Sequence, residues 1–461
     1  VDFRSSNLMP LIRSVSGLRA TTTDGCLSAD LVARHVRAYA EMQPDGAIAI
    51  GYDGRLGGRT IADIAIEELC AAGRNVLDLG CVPTPTVQVV VERNRLAGGI
   101  VVTASHNGAE WNGLKFLDAD GVFLAPHRAE QLWQASDRMP MVPSHVRGTV
   151  RQHDDPIGEH LAAIERVDFI AELRSSGTFG GMRITIDAVN ASGSVALPRL
   201  VEWLGAEPIP IHCDASGVFP HPPEPLPEHL HDLCRATAER RATLGIACDP
   251  DADRLVLVHS TGAAIAEEKT IVLAVESVLR RVPHATVVVN ASTTSEVERV
   301  AMRYGGKVVR SAVGEINVVA AMRSSGAAIG GEGSGGVILP ACHYGRDSLV
   351  GTALVLALCA ALSQEQWDER TLQQPLAMSK RKIAWSGEFE KLRSALAASI
   401  GDGARLWDRD GIRFEWGDRW LHVRPSNTEP IVRLIAESPS HEQAESLLDR
   451  AERVVRQLGE R

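Results

Sequence analysis

The sequence predicts an α/β protein built as three tandem α/β units followed by a smaller α+β domain. Three observations carry that prediction. The chain has 461 residues, too many for one hydrophobic core and enough for roughly three to four domains. Apolar runs of strand length alternate with segments of helical periodicity, the pattern of helices laid on a mostly parallel sheet. After about residue 375 the alternation gives way to consecutive strands and one long amphipathic helix.

In the first unit, "AIAIGYD" (47–53), "NVLDLG" (75–80) and "GGIVVTAS" (98–105) read as buried strands. "SADLVARHVRAYAEM" (28–42) and "TIADIAIEELCAAG" (60–73) place apolar residues at helical spacing, with Ser28 as an N-cap and Gly73 as a stop. A second set follows: "MRITIDAV" (182–189), a helix near 193–204, "PIPIHC" (208–213) and "TLGIACD" (243–249). A third set takes "RLVLVHS" (254–260), a helix near 266–281, "ATVVVN" (285–290), "KVVRS" (307–311) and "AAIGG" (327–331). The tail holds a helix (388–400), strands at 412–416, 419–425 and 431–437, and a final amphipathic helix (440–458). Proline-rich "FPHPPEPLPEHL" (219–230) is a loop. The expected domains are 1–153, 154–256, 257–372 and 373–461.

Composition narrows the function. Hydrophobic residues make up 44% and charged residues 23%, ordinary for a globular protein. The formal net charge of -10 argues against a nucleic-acid or membrane-surface binder, which needs a basic face. A local basic pocket for an anionic small molecule stays compatible with it. The eight cysteines form no C-x-x-C pair and sit mostly in apolar surroundings, so reduced thiols in a cytoplasmic protein are expected. The longest apolar run, "LVGTALVLALCAAL" (349–362), is short of the about 20 residues that span a bilayer and reads as a buried helix. No signal peptide is visible, and Val rather than Met stands first.

Four polar stretches interrupt the apolar pattern. Ser105 ends a strand, where ligands bind in α/β proteins; Ser-His-Asn-Gly is equally a turn by its residue types. In "CDPDADRL" (248–255), Asp249, Asp251 and Asp253 alternate. In extended backbone they would share one face, and their oxygens would select Mg²⁺, or Ca²⁺ in a larger cage. An EF-hand is rejected because Arg254 follows where Gly is required. "GGEGSGGVILPACHYGRD" (330–347) combines glycines that let backbone approach a ligand with Glu332 and Ser334, suited to sugar hydroxyls, and with His343, Arg346 and Asp347; a Gly-rich hinge is the alternative. "RPSNTEP" (424–430) offers the Arg424 fork, the side chains of Ser426, Asn427 and Thr428 and a backbone nest for a phosphate; Arg433 follows nearby, and helix capping is the alternative.

These stretches, in this order and across nearly the whole chain, resemble the α-D-phosphohexomutase superfamily. "TASHNGAEWNGLKF" resembles its phosphoserine loop, "DPDADR" its metal loop, "GEGSGG" its sugar-recognition loop and "RPSNTEP" its phosphate-binding loop. The resemblance implies three mixed-sheet α/β domains and a fourth, α+β domain like the TATA-box-binding protein, arranged around one central cleft. It implies conversion of hexose 6-phosphates to 1-phosphates, with Mg²⁺ and a hexose 1,6-bisphosphate as activator and intermediate. Ser105 then carries the phosphoryl group, and Ser105, Asp249, Asp251 and Asp253 hold the metal. Arg254 stabilises charge in transfer, Lys115 is the general base or acid, and His106 orients the nucleophile or binds phosphate. Arg424, Ser426, Asn427, Thr428 and Arg433 grip the non-reacting phosphate, while Arg19, Glu332, Ser334 and His343 line the substrate site. "GYDGRLGG" (51–58) resembles a first-domain stretch in which Arg55 is structural.

The form of "GEGSGGVILPACHYGRD" resembles members assigned as phosphoglucosamine mutases more than phosphomannomutase/phosphoglucomutases. Glucosamine phosphate is therefore the expected substrate, with mannose or glucose phosphate as the alternative. A Mg²⁺-dependent sugar-phosphate phosphatase is the alternative from another class, although a hydrolase has no need of a second phosphate grip. The expected partners are small hexose phosphates, with neither nucleic acid nor membrane, for a monomer or homodimer.

Overall fold

A computed structural model describes residues 11–138, 146–426 and 430–459. The chain divides into two compact units. One runs to Thr270 and includes Gly335–Ser363; the other comprises Ile271–Ser334 and Gln364–Arg461.

The first unit holds two sheets. The larger has seven strands, in the order Ile12–Ser14, Gly17–Thr21, Trp111–Leu117, Gly98–Val102, Ile48–Tyr52, Val76–Cys81 and Val150–Gln152. The last four run parallel, as the strand-helix alternation predicts, and the first three pair antiparallel at the other side. The strand Trp111–Leu117 and the helix Thr84–Arg93 escape the sequence reading, because glycine and asparagine dilute the first and prolines the second. The helix Ala29–Met42 starts where the sequence places it: Ser28 Oγ accepts from the Leu31 amide at 3.2 Å. Gly73 follows the helix Gly58–Ala71 with φ +82°, a left-handed stop.

The second sheet has the order Leu255–His259, Leu244–Cys248, Arg183–Asp187 and Glu207–Ile211. Here the expected grouping is corrected. The strand assigned to the third set pairs antiparallel with Leu244–Cys248, with Cys248 opposite Leu255. "DPDADR" is thus the connection of a hairpin, and a boundary at 256 would cut its second strand. The apolar run becomes the helix Ser348–Ala361, buried along most of its length as expected.

In the second unit, Lys307–Ser311, Thr286–Asn290 and Ile329–Glu332 lie side by side and parallel. A five-stranded antiparallel sheet follows, ordered Ala377–Ala384, Ile431–Ser438, Trp420–Pro425, Ile412–Glu415 and Arg405–Trp407. The helices Phe389–Ile400 and His441–Gly459 bury Leu392, Leu396, Leu448 and Val455 in one core with Phe414, Val423 and Leu434. This is the α+β tail that the change of pattern predicts. No described helix is long and apolar enough to cross a membrane, and all eight cysteines are free.

Inside the first core, His35 is fully buried beside Trp133. Its Nδ1 lies 2.7 Å from the Leu31 carbonyl, and its Nε2 has no hydrogen-bond partner among the described residues. Burial depresses its pKa from 6.5 to about 4. Below the ordinary value the unfolded chain takes up a proton that the folded one refuses until about pH 4, so stability falls with pH through that window. His35→Leu is expected to remove up to roughly 3 kcal/mol of this acid sensitivity. Urea midpoints for the two proteins should diverge as pH falls from 6.5 towards 4; parallel curves would contradict the assignment.

Candidate active site

The turn after the strand Gly98–Val102 is held from beneath by a buried ion pair. Arg55 Nε donates to Asp53 Oδ2 at 2.8 Å, and both side chains are almost wholly buried. The same carboxylate oxygen accepts from Thr103 Oγ1 at 2.6 Å, and that hydroxyl accepts from the Ser105 amide at 2.8 Å. The other end of the Arg55 fork donates to the Ser105 and Trp111 carbonyls. Ser105 has φ +51°, a conformation a side-chain-bearing residue adopts only when its surroundings fix it. Arg55, expected to be structural, supplies that fixation.

The hairpin connection "DPDADR" meets this turn. Asp249, Asp251 and Asp253 are each fully buried, with carboxylate oxygens within 4.8 Å of one another. They converge for a reason other than the expected one. The backbone is not extended: the Ala252 amide donates to the Asp249 carbonyl at 2.9 Å and Ala252 has φ +52°, which closes a turn. Ser105 Oγ donates to Asp249 Oδ2 at 2.9 Å, and Asp249 Oδ1 accepts the Asp253 and Arg254 amides. Asp251 Oδ2 accepts from Lys115 Nζ at 2.5 Å and Thr84 Oγ1 at 2.6 Å. Asp253 Oδ2 accepts from Lys115 Nζ at 3.0 Å and Arg346 at 2.6 Å. Among the described residues, Asp251 Oδ1 and Asp253 Oδ1 are buried without a hydrogen-bond partner. An orphaned buried carboxylate oxygen is costly, and two of them in a set of hard donors fit a Mg²⁺-type cation.

Titration follows from this crowding. Burial, then Asp253 and Asp251, hold the Asp249 carboxyl well above the usual range. Burial would raise Asp253 too, but Arg346, Lys115 and Arg254 outweigh it and push it far down. Burial alone would lower the Lys115 ammonium; Asp251 and Asp253 outweigh that and raise it. With two carboxylates as neighbours, Lys115 is held as an ammonium in this arrangement. His106 Nδ1 is 3.3 Å from Ser105 Oγ, and the Arg254 charge, burial and Arg19 bring its pKa down to about 2, so the ring is neutral.

Arg254 Nη1 lies 3.3 Å from Glu224 of the proline-rich loop, and Arg254 Nε is buried without a hydrogen-bond partner among the described residues. Arg19 reaches Asn107 Oδ1 at 2.9 Å. Thr84 and Glu224 were not singled out by the sequence; "PTPT" signals only a helix start, and Glu224 is one acid in a loop.

His343 departs from expectation. It is 2% exposed, with Nε2 3.0 Å from Asp347, so it is a core residue rather than a sugar contact. Gly335, expected to make room for a ligand, makes room for backbone: a Cβ there would stand 2.4 Å from the Leu255 carbonyl oxygen.

In the second unit, Glu332 is 6% exposed and its Oε1 accepts from Asn290 Nδ2 at 2.8 Å and the Gly314 amide at 2.9 Å. It braces two loops of its own unit. Ser334 is partly exposed. Arg424 is cross-strand partner to Arg433, which faces Lys382 on the next strand. Arg424 Nε lies 3.3 Å from Asp410, and the Ser426 amide donates to the Ile431 carbonyl. Like charges directly opposite on a sheet are unfavourable, so this row of cations favours an anion beside it. Asn427 and Thr428 lie outside the described residues.

Sequence models of one family match the chain in four consecutive blocks. They are described as phosphoglucomutase/phosphomannomutase alpha/beta/alpha domain I (residues 11–140), domain II (159–262), domain III (266–377) and C-terminal domain (378–454). The "Probable phosphoglucosamine mutase" of Methanopyrus kandleri is 31% identical, over 96% of this chain and 98% of that one. The "Phosphoglucomutase/phosphomannomutase" of Thermococcus kodakarensis is 32% identical, over 87% and 88%. A crystal structure of a phosphoglucomutase/phosphomannomutase family protein from Burkholderia thailandensis superposes with a TM-score of 0.82 at 27% identity, covering 96% of this chain and 97% of that one.

Asp251→Asn is expected to weaken Mg²⁺ binding by at least the roughly tenfold that loss of even an outer-shell partner costs. Isothermal titration measures it; an unchanged affinity would contradict a cation site among the three carboxylates.

Proposed function

The chain belongs to the phosphoglucomutase/phosphomannomutase family, and on that premise we propose how its residues act and which sugar they serve. The protein is a phosphohexomutase, an isomerase that relocates a phosphoryl group on a hexose phosphate.

The proposed carrier is Ser105, and the observation that supports it is its hydroxyl at 2.9 Å from a buried three-carboxylate cluster. Starting from phosphorylated Ser105, the bond between Ser105 Oγ and phosphorus breaks as a sugar hydroxyl bonds to phosphorus. The hydroxyl proton passes to Lys115. The product is a hexose 1,6-bisphosphate, which turns over and returns its other phosphoryl group to Ser105 while the departing sugar oxygen takes back a proton. Magnesium held by Asp249, Asp251, Asp253 and the serine phosphate would neutralise charge on the transferring group and on the carboxylates that otherwise keep Lys115 protonated. Arg254, whose Nε has no protein partner, is suited to a phosphoryl oxygen. The neutral His106 orients the reacting serine, and Arg19 steadies the same turn through Asn107.

Arg424 and Arg433, with Ser426, take the phosphate that does not react; the cation row on their sheet supports this. Such a grip favours a mutase over a phosphatase, because only a substrate that rebinds in two orientations needs a phosphate site apart from the reacting one. Glucosamine phosphate is the proposed sugar. The glycine-rich loop supports it, as does the likeness to the "Probable phosphoglucosamine mutase" of Methanopyrus kandleri; the Thermococcus kodakarensis relative carries the mannose/glucose alternative.

A coupled assay with glucosamine, mannose, glucose and N-acetylglucosamine phosphates, primed by the 1,6-bisphosphate, should give the highest kcat/KM with glucosamine phosphate. A higher value for another hexose would reassign the substrate, and sustained phosphate release without isomer formation would favour the phosphatase. Ser105→Ala should abolish turnover with the far-UV circular dichroism unchanged; retained activity would exclude transfer through this serine. Arg424→Ala should raise KM about tenfold or more with a smaller change in kcat, the signature of lost uniform binding. A change confined to kcat would misplace its role.

A further inference from the structure

A second cluster of metal-ligating side chains lies in the first unit, apart from the three aspartates. His160, Cys342, His343 and Asp347 are all buried, and each offers a ligand atom within 4.8 Å of the others. His160 Nε2 is 2.8 Å and His343 Nε2 3.0 Å from one oxygen, Asp347 Oδ2. The two imidazoles meet edge to face, with centroids 5.8 Å apart.

The surroundings prepare these groups as ligands. The other Asp347 oxygen, Oδ1, caps the helix Ser348–Ala361 by accepting the Leu349 and Val350 amides, which fixes the carboxylate and leaves Oδ2 aimed at the cluster. His160 Nδ1 meets the Thr86 hydroxyl at 3.0 Å, a group able to accept a hydrogen bond from it. A metal-bound histidine needs that kind of partner at its second nitrogen. His343 Nδ1, in a side chain 2% exposed, has no hydrogen-bond partner among the described residues.

We propose that His160, Cys342, His343 and Asp347 bind one zinc-type cation. Two imidazoles, a thiolate and a carboxylate oxygen make a complete tetrahedral set for such an ion. The zinc–ligand bond lengths put donor atoms roughly 3.3–3.8 Å apart. The two contacts on Asp347 Oδ2 need open by only about half an ångström. The set is also chemically distinct from the aspartate cluster, whose all-oxygen donors prefer magnesium. Binding releases the Cys342 thiol proton to solvent, and each neutral imidazole would ligate through Nε2 with its hydrogen on Nδ1.

The site bears on the reaction through Arg346. That residue lies between His343 and Asp347 and reaches Asp253 Oδ2 at 2.6 Å. A cation that fixes His343 and Asp347 to the helix Pro156–Ile164 fixes Arg346 between them, so Arg346 is a positioning residue for the carboxylate cluster.

The test is a Co²⁺ titration of the chelator-stripped full-length protein with Mg²⁺ in excess, so that the carboxylate cluster does not compete. One equivalent of Co²⁺ should give tetrahedral visible bands and a thiolate-to-cobalt charge-transfer band in the near ultraviolet. Cys342→Ser should lose the charge-transfer band, and Asp249→Asn should keep both. His160→Gln should weaken binding at least about tenfold. A wild-type spectrum without the thiolate band, or a band that survives Cys342→Ser, would overturn the proposal, and the wild-type spectrum decides even if a variant fails to fold.

Discussion

Three carboxylates buried within 4.8 Å of one another set the terms for everything around them. At that spacing each charged pair repels by roughly 3–4 kcal/mol, even at the effective dielectric of about 20 that suits protein interiors. The chain brings compensation from distant segments. Lys115 comes from a strand of the large sheet, Arg346 from the turn before a buried helix, and Thr84 from the start of another helix. The compensation is incomplete, since among the described residues two carboxylate oxygens stay without partners. Such a set of hard donors fits a divalent cation, and Ser105 Oγ lies against it.

The serine turn obeys the same constraint from the other side. Asp53, Arg55 and Thr103 form a buried network that ends on the backbone of Ser105 and holds it at φ +51°. They hold the left-handed turn from which the Ser105 hydroxyl donates to Asp249.

Much of this was legible in the sequence because local pattern controls it. Periodicity marked the parallel strands, the Ser28 cap and the buried apolar helix, and the change of pattern near residue 375 marked the antiparallel tail. The aspartate cluster was legible as a composition but not as a shape: the left-handed Ala252 that makes its turn is a residue type that gives no warning. The hairpin partner of Leu244–Cys248 was assigned to the wrong sheet because an apolar strand does not announce its neighbour. His343 reads as a ligand residue because a polar side chain in a glycine-rich stretch looks available. Only tertiary structure shows it buried against Asp347, and shows Glu332 Oε1 bonded to Asn290 and Gly314. Thr84 was invisible for the opposite reason, since its partner Asp251 lies far along the chain.

The central claim is that a divalent cation sits between the phosphate on Ser105 and the three aspartates. Phosphorus NMR of the Ser105-phosphorylated protein, titrated with Mn²⁺ in place of Mg²⁺, tests it most directly. The account predicts that substoichiometric Mn²⁺ broadens the phosphoserine resonance strongly, and that replacing the aspartates with asparagine abolishes the broadening. A sharp resonance in the presence of bound Mn²⁺ would contradict it.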